Sequence, residues 1–283
     1  MPDITLLGAQ DIRTLAKDID VSPTKKWGQN FVIDPNTVRR IVDAAHVNEK
    51  DIVLEVGPGL GSLTLALLEK AKHVVVVEID PRLAEKLPHT IAKFAAGHED
   101  DVTVVQADAL MVTELPREPT KLVANLPYNV SVPVVLHLLE NFPSIQEVLV
   151  MVQAEVADRL AATPGSKIYG VPSVKASWYG QTSRAGAIGR NVFWPAPNVD
   201  SGLVRIERRE TPGDEDLRKS VFALVDSAFG QRRKTLRSSL SAALGSSARI
   251  DDVLARAGVD SGLRGEQLDL NDFVAIAQAA KVQ

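Results

Sequence analysis

An α/β fold built on a mostly parallel sheet, followed by a small all-α domain, is the fold class this sequence predicts, on three observations. Five short apolar runs fall at 52–56, 74–79, 102–107, 122–124 and 148–152, and helical stretches lie between several of them. Such alternation is expected of parallel strands joined through helices that cover both faces of a sheet. The runs are near-continuous in Val, Ile and Leu rather than alternating with polar residues, as strands buried on both faces require. Beyond Glu210-Thr211-Pro212-Gly213-Asp214, a polar stretch carrying Pro-Gly, the apolar residues follow helical spacing. A boundary there divides the chain into a catalytic-sized domain of 1–210 and a helical domain of 211–283.

The elements follow in order. Ile12, Leu15, Ala16 and Ile19 recur at i, i+3, i+4 and i+7 and predict a short helix within residues 1–24. After a polar segment at 25–30, Asp34 and Pro35 read as an N-cap and the first helical position. Val38, Ile41, Val42 and Ala45 then make one apolar face. Helices are expected at 63–68 and 134–139 between strands, and a Pro-rich strip at 193–197 precedes a strand-like run at 202–206. The last four helices are expected at 217–229, 234–244, 250–257 and 272–280.

Composition bounds the function. The 283 residues are 45% hydrophobic and 24% charged, which supports a buried core and excludes global disorder. There is no cysteine, so disulfides, thiolate metal sites and Cys nucleophiles are excluded together. His46, His73, His89, His98 and His137 are scattered without metal-ligand spacing, and no metal is expected. No apolar run approaches the ~18–20 residues of a membrane span. The start Met1-Pro2-Asp3 lacks a basic segment followed by an apolar one. A cytoplasmic chain with no membrane partner is the expectation.

The first strand runs into Leu54-Glu55-Val56-Gly57-Pro58-Gly59-Leu60-Gly61-Ser62. A glycine-rich turn from strand to helix lets backbone approach a ligand closely. The dinucleotide fingerprint G-x-G-x-x-G fails in both registers, its third glycine falling on Ser62 or on Thr64. This disfavours a nicotinamide-dependent oxidoreductase. The string E-x-G-x-G-x-G instead resembles the first motif of Rossmann-like, class I methyltransferases that use S-adenosylmethionine, and implies Gly57, Gly59 and Gly61 as cofactor residues. The second strand ends at Glu78, where a carboxylate can accept both ribose hydroxyl protons. Asp80 competes for that role on sequence alone, and the resemblance favours Glu78. The third strand ends Gln106-Ala107-Asp108, where the methyltransferase pattern places an acid or amide facing the adenine amino group.

The fourth strand ends Asn125-Leu126-Pro127-Tyr128. This resembles the [D/N/S]-P-P-[Y/F] signature of methyltransferases that act on exocyclic amines of nucleobases. An adenine amino nitrogen is a poor nucleophile because its lone pair is delocalised into the ring. Two acceptors binding its N–H groups out of plane favour pyramidal nitrogen and free the lone pair. The Asn125 side-chain oxygen and the Leu126 carbonyl are the implied pair. Pro127 stiffens the turn, and Tyr128 is placed to stack on a base splayed out of its strand. Positioning and electrostatics carry such catalysis, since Asn is no base.

Four further segments narrow the resemblance. Gly28-Gln29-Asn30-Phe31-Val32 resembles the G-Q-N-F-L segment of ribosomal RNA adenine N6,N6-dimethyltransferases, which implies Gln29, Asn30 and Val32 at the methionine part of the cofactor. The string 193–201 matches their F-x-P-x-P-x-V-x-S segment and implies that Phe193 stacks on the target base opposite Tyr128. The string 228–237 resembles their A-F-x-Q-R-R-K-T-L-R helix, implying Arg232, Arg233, Lys234 and Arg237 as RNA-binding residues. Arg264-Gly265-Glu266-Gln267-Leu268 fits their R-x-E-Q-L segment. Together these resemble the small-subunit members of that family. The implied activity is dimethylation of two adjacent adenosines in a hairpin loop near the 3′ end of 16S rRNA, in the small subunit or its precursor, by a monomer. The antibiotic-resistance members acting on large-subunit RNA share the core, and the Q-R-R-K-T-L-R string favours the small-subunit members. Val32 stands where Leu is usual and Trp27 where a smaller aliphatic is common. The 167–170 segment reads as a flexible loop beside the site.

The charge balance is −4, with 32 Lys and Arg against 36 Asp and Glu, which taken whole argues against a phosphate-rich partner. The stretches 159–199 and 230–250, however, hold ten of the basic residues and none of the acids. A local basic surface on an acidic body binds phosphates while the bulk stays soluble.

Overall fold

The computed structural model describes residues 4–20 and 30–281. In chain order the elements are α1 (Ala9–Asp18), β1 (Phe31–Val32), α2 (Pro35–Ala44), β2 (Ile52–Val56), α3 (Ser62–Leu68), β3 (His73–Glu78), α4 (Pro81–Phe94), β4 (Val102–Gln106), β5 (Lys121–Asn125), α5 (Ser131–Asn141) and β6 (Glu147–Gln153). There follow α6 (Ala154–Leu160), α7 (Val171–Tyr179), β7 (Gly180–Ile188), β8 (Phe193–Trp194), β9 (Ser201–Arg208), α8 (Glu215–Gly230), α9 (Leu236–Ser239), α10 (Ser241–Leu244), α11 (Ser247–Ala257) and α12 (Leu270–Lys281). They form two compact units. One holds the described residues up to Ala157 with Ser183–Arg208, the other Asp158–Thr182 with the described residues from Arg209 on.

In the first unit seven strands make one sheet in the order β4-β3-β2-β5-β6-β9-β7. The five apolar runs are its parallel strands, β2, β3, β4, β5 and β6, and β9 pairs antiparallel to β6 with Ser201 opposite Gln153. Val74, Val75, Val76, Leu122, Ala124, Val148 and Val150 are fully buried, as a sheet covered on both faces demands. The strand order reverses between β2 and β5, and ligands of open α/β sheets bind beyond the strand carboxyl ends at such a point. Helix α2 starts as expected, with Pro35 first and the Asp34 carboxylate accepting the Thr37 N–H at 3.0 Å.

At the amino ends of the central strands β5 and β6, largely buried charge caps the end of α2. Lys121 Nζ donates to the carbonyls of Ala45 (2.8 Å) and His46 (3.0 Å) and pairs with Glu147 Oε2 at 2.8 Å. Arg205 pairs with Glu147 at 3.1 Å and donates to the Ala44 carbonyl.

The second unit departs from expectation in three ways. A cut at 210 misses Asp158–Thr182, which packs among the C-terminal helices. Tyr169 lies 5.9 Å from Phe229 and Trp178 6.2 Å from Phe222, ring centre to ring centre. The 167–170 segment is anchored rather than free, because Tyr169 is 4% exposed and its hydroxyl donates to the Leu268 carbonyl at 2.9 Å. The helix expected at 234–244 is absent as one element. The basic residues 232–234 lie in a turn after α8, and the N–H of Leu236 is taken by the Leu263 carbonyl at 2.8 Å instead of a preceding helical turn.

Candidate active site

The glycine turn shapes one wall of the site. Gly59 sits at φ +58°, and a Cβ there would lie 2.9 Å from the Phe31 ring. Only glycine takes that backbone without strain and lets β1 close over the turn. A Cβ on Gly57 would meet nothing nearer than the Asn125 carbonyl oxygen, at 4.0 Å, so the space between the ends of β2 and β5 is open. Gly61, at φ +97°, serves differently from the expectation. It starts α3 and abuts Leu87, and it is not among the lining residues.

A cavity of about 280 Å³ opens at these carboxyl ends of the strands. It gathers Asn30, Val32, Gly57, Gly59, Glu78, Asp108, Asn125, Leu126, Pro127 and Tyr128 from the ends of four parallel strands and from β1. Gln29, with Trp27 and Gly28, lies outside the described residues. Phe193 is not brought to the cavity. It is 3% exposed in the core, where β8 pairs with β1 so that Phe193 stands opposite Val32. The half-buried ring on that strip is Trp194, against Phe31 at 6.4 Å.

Glu78 and Asp80 have different work. The Asp80 carboxylate caps α4 through the Arg82 N–H at 3.0 Å and pairs with the Arg82 guanidinium at 2.7 Å. Glu78, 5% exposed, accepts from the Asp80 N–H at 2.9 Å and the Gly59 N–H at 3.3 Å. Burial raises its pKa and those N–H groups hold the rise down. Asp108 is exposed at the cavity, one oxygen accepting the Leu110 N–H at 2.9 Å.

At the end of β5, Asn125 Nδ2 donates to the Asn30 carbonyl at 3.1 Å, which sets the amide's orientation and leaves Oδ1 as acceptor. The Leu126 N–H donates to the Met151 carbonyl at 3.1 Å, which fixes the Asn125–Leu126 peptide plane. Tyr128 is half-buried, its hydroxyl 2.8 Å from Ser201 Oγ, and burial raises the pKa of the phenol.

Of the lining residues that were not among the expected site residues, three bear on the chemistry or the shape of the cavity. Glu55, the acid of the glycine string, is 1% exposed and accepts the Thr64 hydroxyl at 2.6 Å. Burial pushes its pKa up to about 8. Ile79 is an apolar side chain left 45% exposed at the cavity wall, its signal being its place directly after the strand-end acid. Ser62 lines the turn and donates to the Val32 carbonyl at 2.7 Å, tying β1 to α3. Among the described residues no cluster of three or more His, Asp or Glu could hold a metal, and no helix is long and apolar enough to cross a membrane.

Arg232, Arg233, Lys234 and Arg237 all lie exposed in the second unit. Two of them are ion-paired, Arg232 with Glu266 at 2.8 Å and Arg237 with Asp251 at 2.9 Å.

Comparison with known proteins agrees with this geometry. Residues 22–281 match the ribosomal RNA adenine dimethylase family. The chain is 62% identical over 274 residues to the ribosomal RNA small subunit methyltransferase A of Paenarthrobacter aurescens, covering 97% of this chain and 94% of that protein. The protein of the same name from Corynebacterium diphtheriae is 61% identical, with 98% and 96% covered. A dimethyladenosine transferase from Plasmodium falciparum superposes with a TM-score of 0.74 at 26% identity, covering 86% of this chain and 94% of that one. The 23S rRNA methyltransferase ErmE superposes with a TM-score of 0.66 at 28% identity, covering 88% and 99%. The sheet order and the cavity at its switch point are those of a Rossmann-like class I methyltransferase, and the chain belongs to the ribosomal RNA adenine dimethylase family.

Proposed function

We propose that this chain is a small-subunit rRNA dimethyltransferase that uses S-adenosylmethionine to convert two adjacent adenosines in the 3′-terminal hairpin loop of 16S rRNA to their N6,N6-dimethyl forms, in the cytoplasm, during subunit biogenesis. One observation carries the reading. Asn125-Leu126-Pro127-Tyr128 and the strand-end acids Glu78 and Asp108 converge on a single cavity beside a glycine turn whose backbone is open to a ligand.

The residues present suit that cofactor. Glu78 accepts from the ribose hydroxyls, Asp108 faces the adenine amino group, and Gly57 and Gly59 admit the methionine part beside Asn30 and Val32. Bound there, S-adenosylmethionine supplies an electrophilic methyl group. Asn125 Oδ1 and the Leu126 carbonyl accept the two N–H groups of the target amine, turn its lone pair toward that methyl and stabilise the charge that develops on nitrogen. Tyr128, held by Ser201, stacks on the base. The proton released passes to solvent. The second unit supplies the basic surface that holds the RNA.

The likeness to ErmE favours a second reading, methylation of large-subunit RNA. The 60–62% identity to proteins named for the small subunit weighs more. Asn125→Ala tests the mechanism. Methyl transfer to unmethylated small subunits is expected to fall about 10²–10³-fold, the loss seen when one preorganised group at a developing charge is removed. RNA affinity is expected to stay within about twofold. Activity retained in that variant contradicts the proposed role.

A further inference from the structure

We infer that Arg232 supports RNA binding indirectly, as a latch that holds the basic turn 231–234 in shape, and that Arg233 and Lys234 are the residues of this turn that meet phosphate. The inference rests on the RNA-binding reading proposed above and divides its residues into two kinds.

Arg232 joins three segments far apart in sequence. Its Nε pairs with Glu266 Oε2 at 2.8 Å, and its Nη2 donates to the Lys167 carbonyl. The Glu266 carbonyl in turn accepts the Gly165 N–H at 2.7 Å. A planar guanidinium suits this work, since its fork reaches a carboxylate and a carbonyl at once. The neighbouring backbone leaves little slack. A Cβ on Gly265 would lie 3.0 Å from the Ala228 Cβ, so the segment bearing Glu266 sits directly on the end of α8. The Tyr169 hydroxyl on the Leu268 carbonyl fastens the same two segments a second time.

A guanidinium committed to a carboxylate is neutralised by it. Arg232 is 42% and Glu266 28% exposed at the side chain, so the pair is partly shielded from solvent. Arg233 and Lys234 differ. Both are exposed, and neither forms an ion pair among the described residues. A shallow, solvent-open depression runs along residues 230–234, lined by Arg232 as well as by Arg233 and Lys234.

The two roles predict opposite signs for one variant. If Arg232 met phosphate directly, removing Glu266 would free it and take away a nearby negative charge, so RNA would bind more tightly. If Arg232 is a latch, Glu266→Ala loosens the turn and weakens binding. The experiment measures binding of the full chain to unmethylated small ribosomal subunits over a range of salt. Cofactor binding to each variant, followed by calorimetry, confirms that the first unit is intact. Glu266→Ala and Arg232→Ala are each expected to weaken binding about five- to tenfold with the salt slope unchanged, and the double variant is expected to be no worse than either. Arg233→Ala with Lys234→Ala is expected to lower the salt slope by about 1.5, near 0.7–0.9 per phosphate contact. Tighter binding by Glu266→Ala, or a slope lowered by about one unit in Arg232→Ala, overturns the latch while leaving the RNA-binding reading intact. Unchanged binding in every variant overturns both.

Discussion

Glu55 shows how much a single residue can carry. It is buried at the carboxyl end of β2 with the Thr64 hydroxyl as its bonded partner, and its pKa lies near 8 against an ordinary carboxyl value of about 4.3. Between those values the folded chain holds a proton that the unfolded chain releases. Stability therefore falls as pH rises from about 4.5 to 8 and levels off above. Glu55→Gln keeps an acceptor for Thr64 and removes the titration. Thermal unfolding is expected to be nearly equal for the two proteins at pH 5 and to favour the variant at pH 8.5. Parallel profiles across that range contradict the assignment. At this scale much of the site was legible. The residue types at successive strand ends pointed to Glu78, Asp108 and Asn125, and all three line one cavity. The resemblance favoured Glu78 over Asp80, and Arg82 with the N-terminus of α4 engages the Asp80 carboxylate. Phe193, which the resemblance implies as a stacking residue, lies instead on β8 opposite Val32 and outside the cavity lining, a placement that the motif string does not reveal.

At the scale of elements, continuous Val and Ile runs made the parallel strands legible, and Asp34-Pro35 made the start of α2 legible. Helix α4 was missed because Pro88 interrupts its periodic face, and β7 because its string GQTSRAGAI is polar and glycine-rich, as befits the outermost strand of the sheet. The cap on α2 left no mark either. A lysine opening a strand reads as a solvated end, yet Lys121 is buried against two carbonyls and Glu147. Lys121→Met is expected to cost about 3 kcal/mol, because it leaves two helix-end carbonyls without their donor and takes one of its cationic partners from Glu147, which keeps Arg205. For a chain of this size that corresponds to a fall of about 6–12 °C in Tm. A Tm within 2 °C of the parent contradicts the capping role.

Across the whole molecule, the fold class followed from strand and helix alternation, while the division into units did not. Contacts between Trp178 or Tyr169 and the C-terminal helices join residues about 45–60 positions apart, and no local pattern encodes them. The net charge of −4 gave the wrong impression of the partner for a related reason, since charge acts where it is placed. Ion pairs at Arg232 and Arg237 also mean that a count of basic residues overstates what faces RNA. Methyl transfer in the cavity of the first unit is proposed to act on one class of RNA. It is tested most directly by incubating the protein and S-adenosylmethionine with ribosomal subunits that lack adenine dimethylation, then mapping modified adenosines in each rRNA by primer extension and mass spectrometry. The expected product is N6,N6-dimethyladenosine at two adjacent positions in the 3′-terminal hairpin loop of 16S rRNA, with none in 23S rRNA. Methylation confined to 23S rRNA, or absent from both, would contradict it.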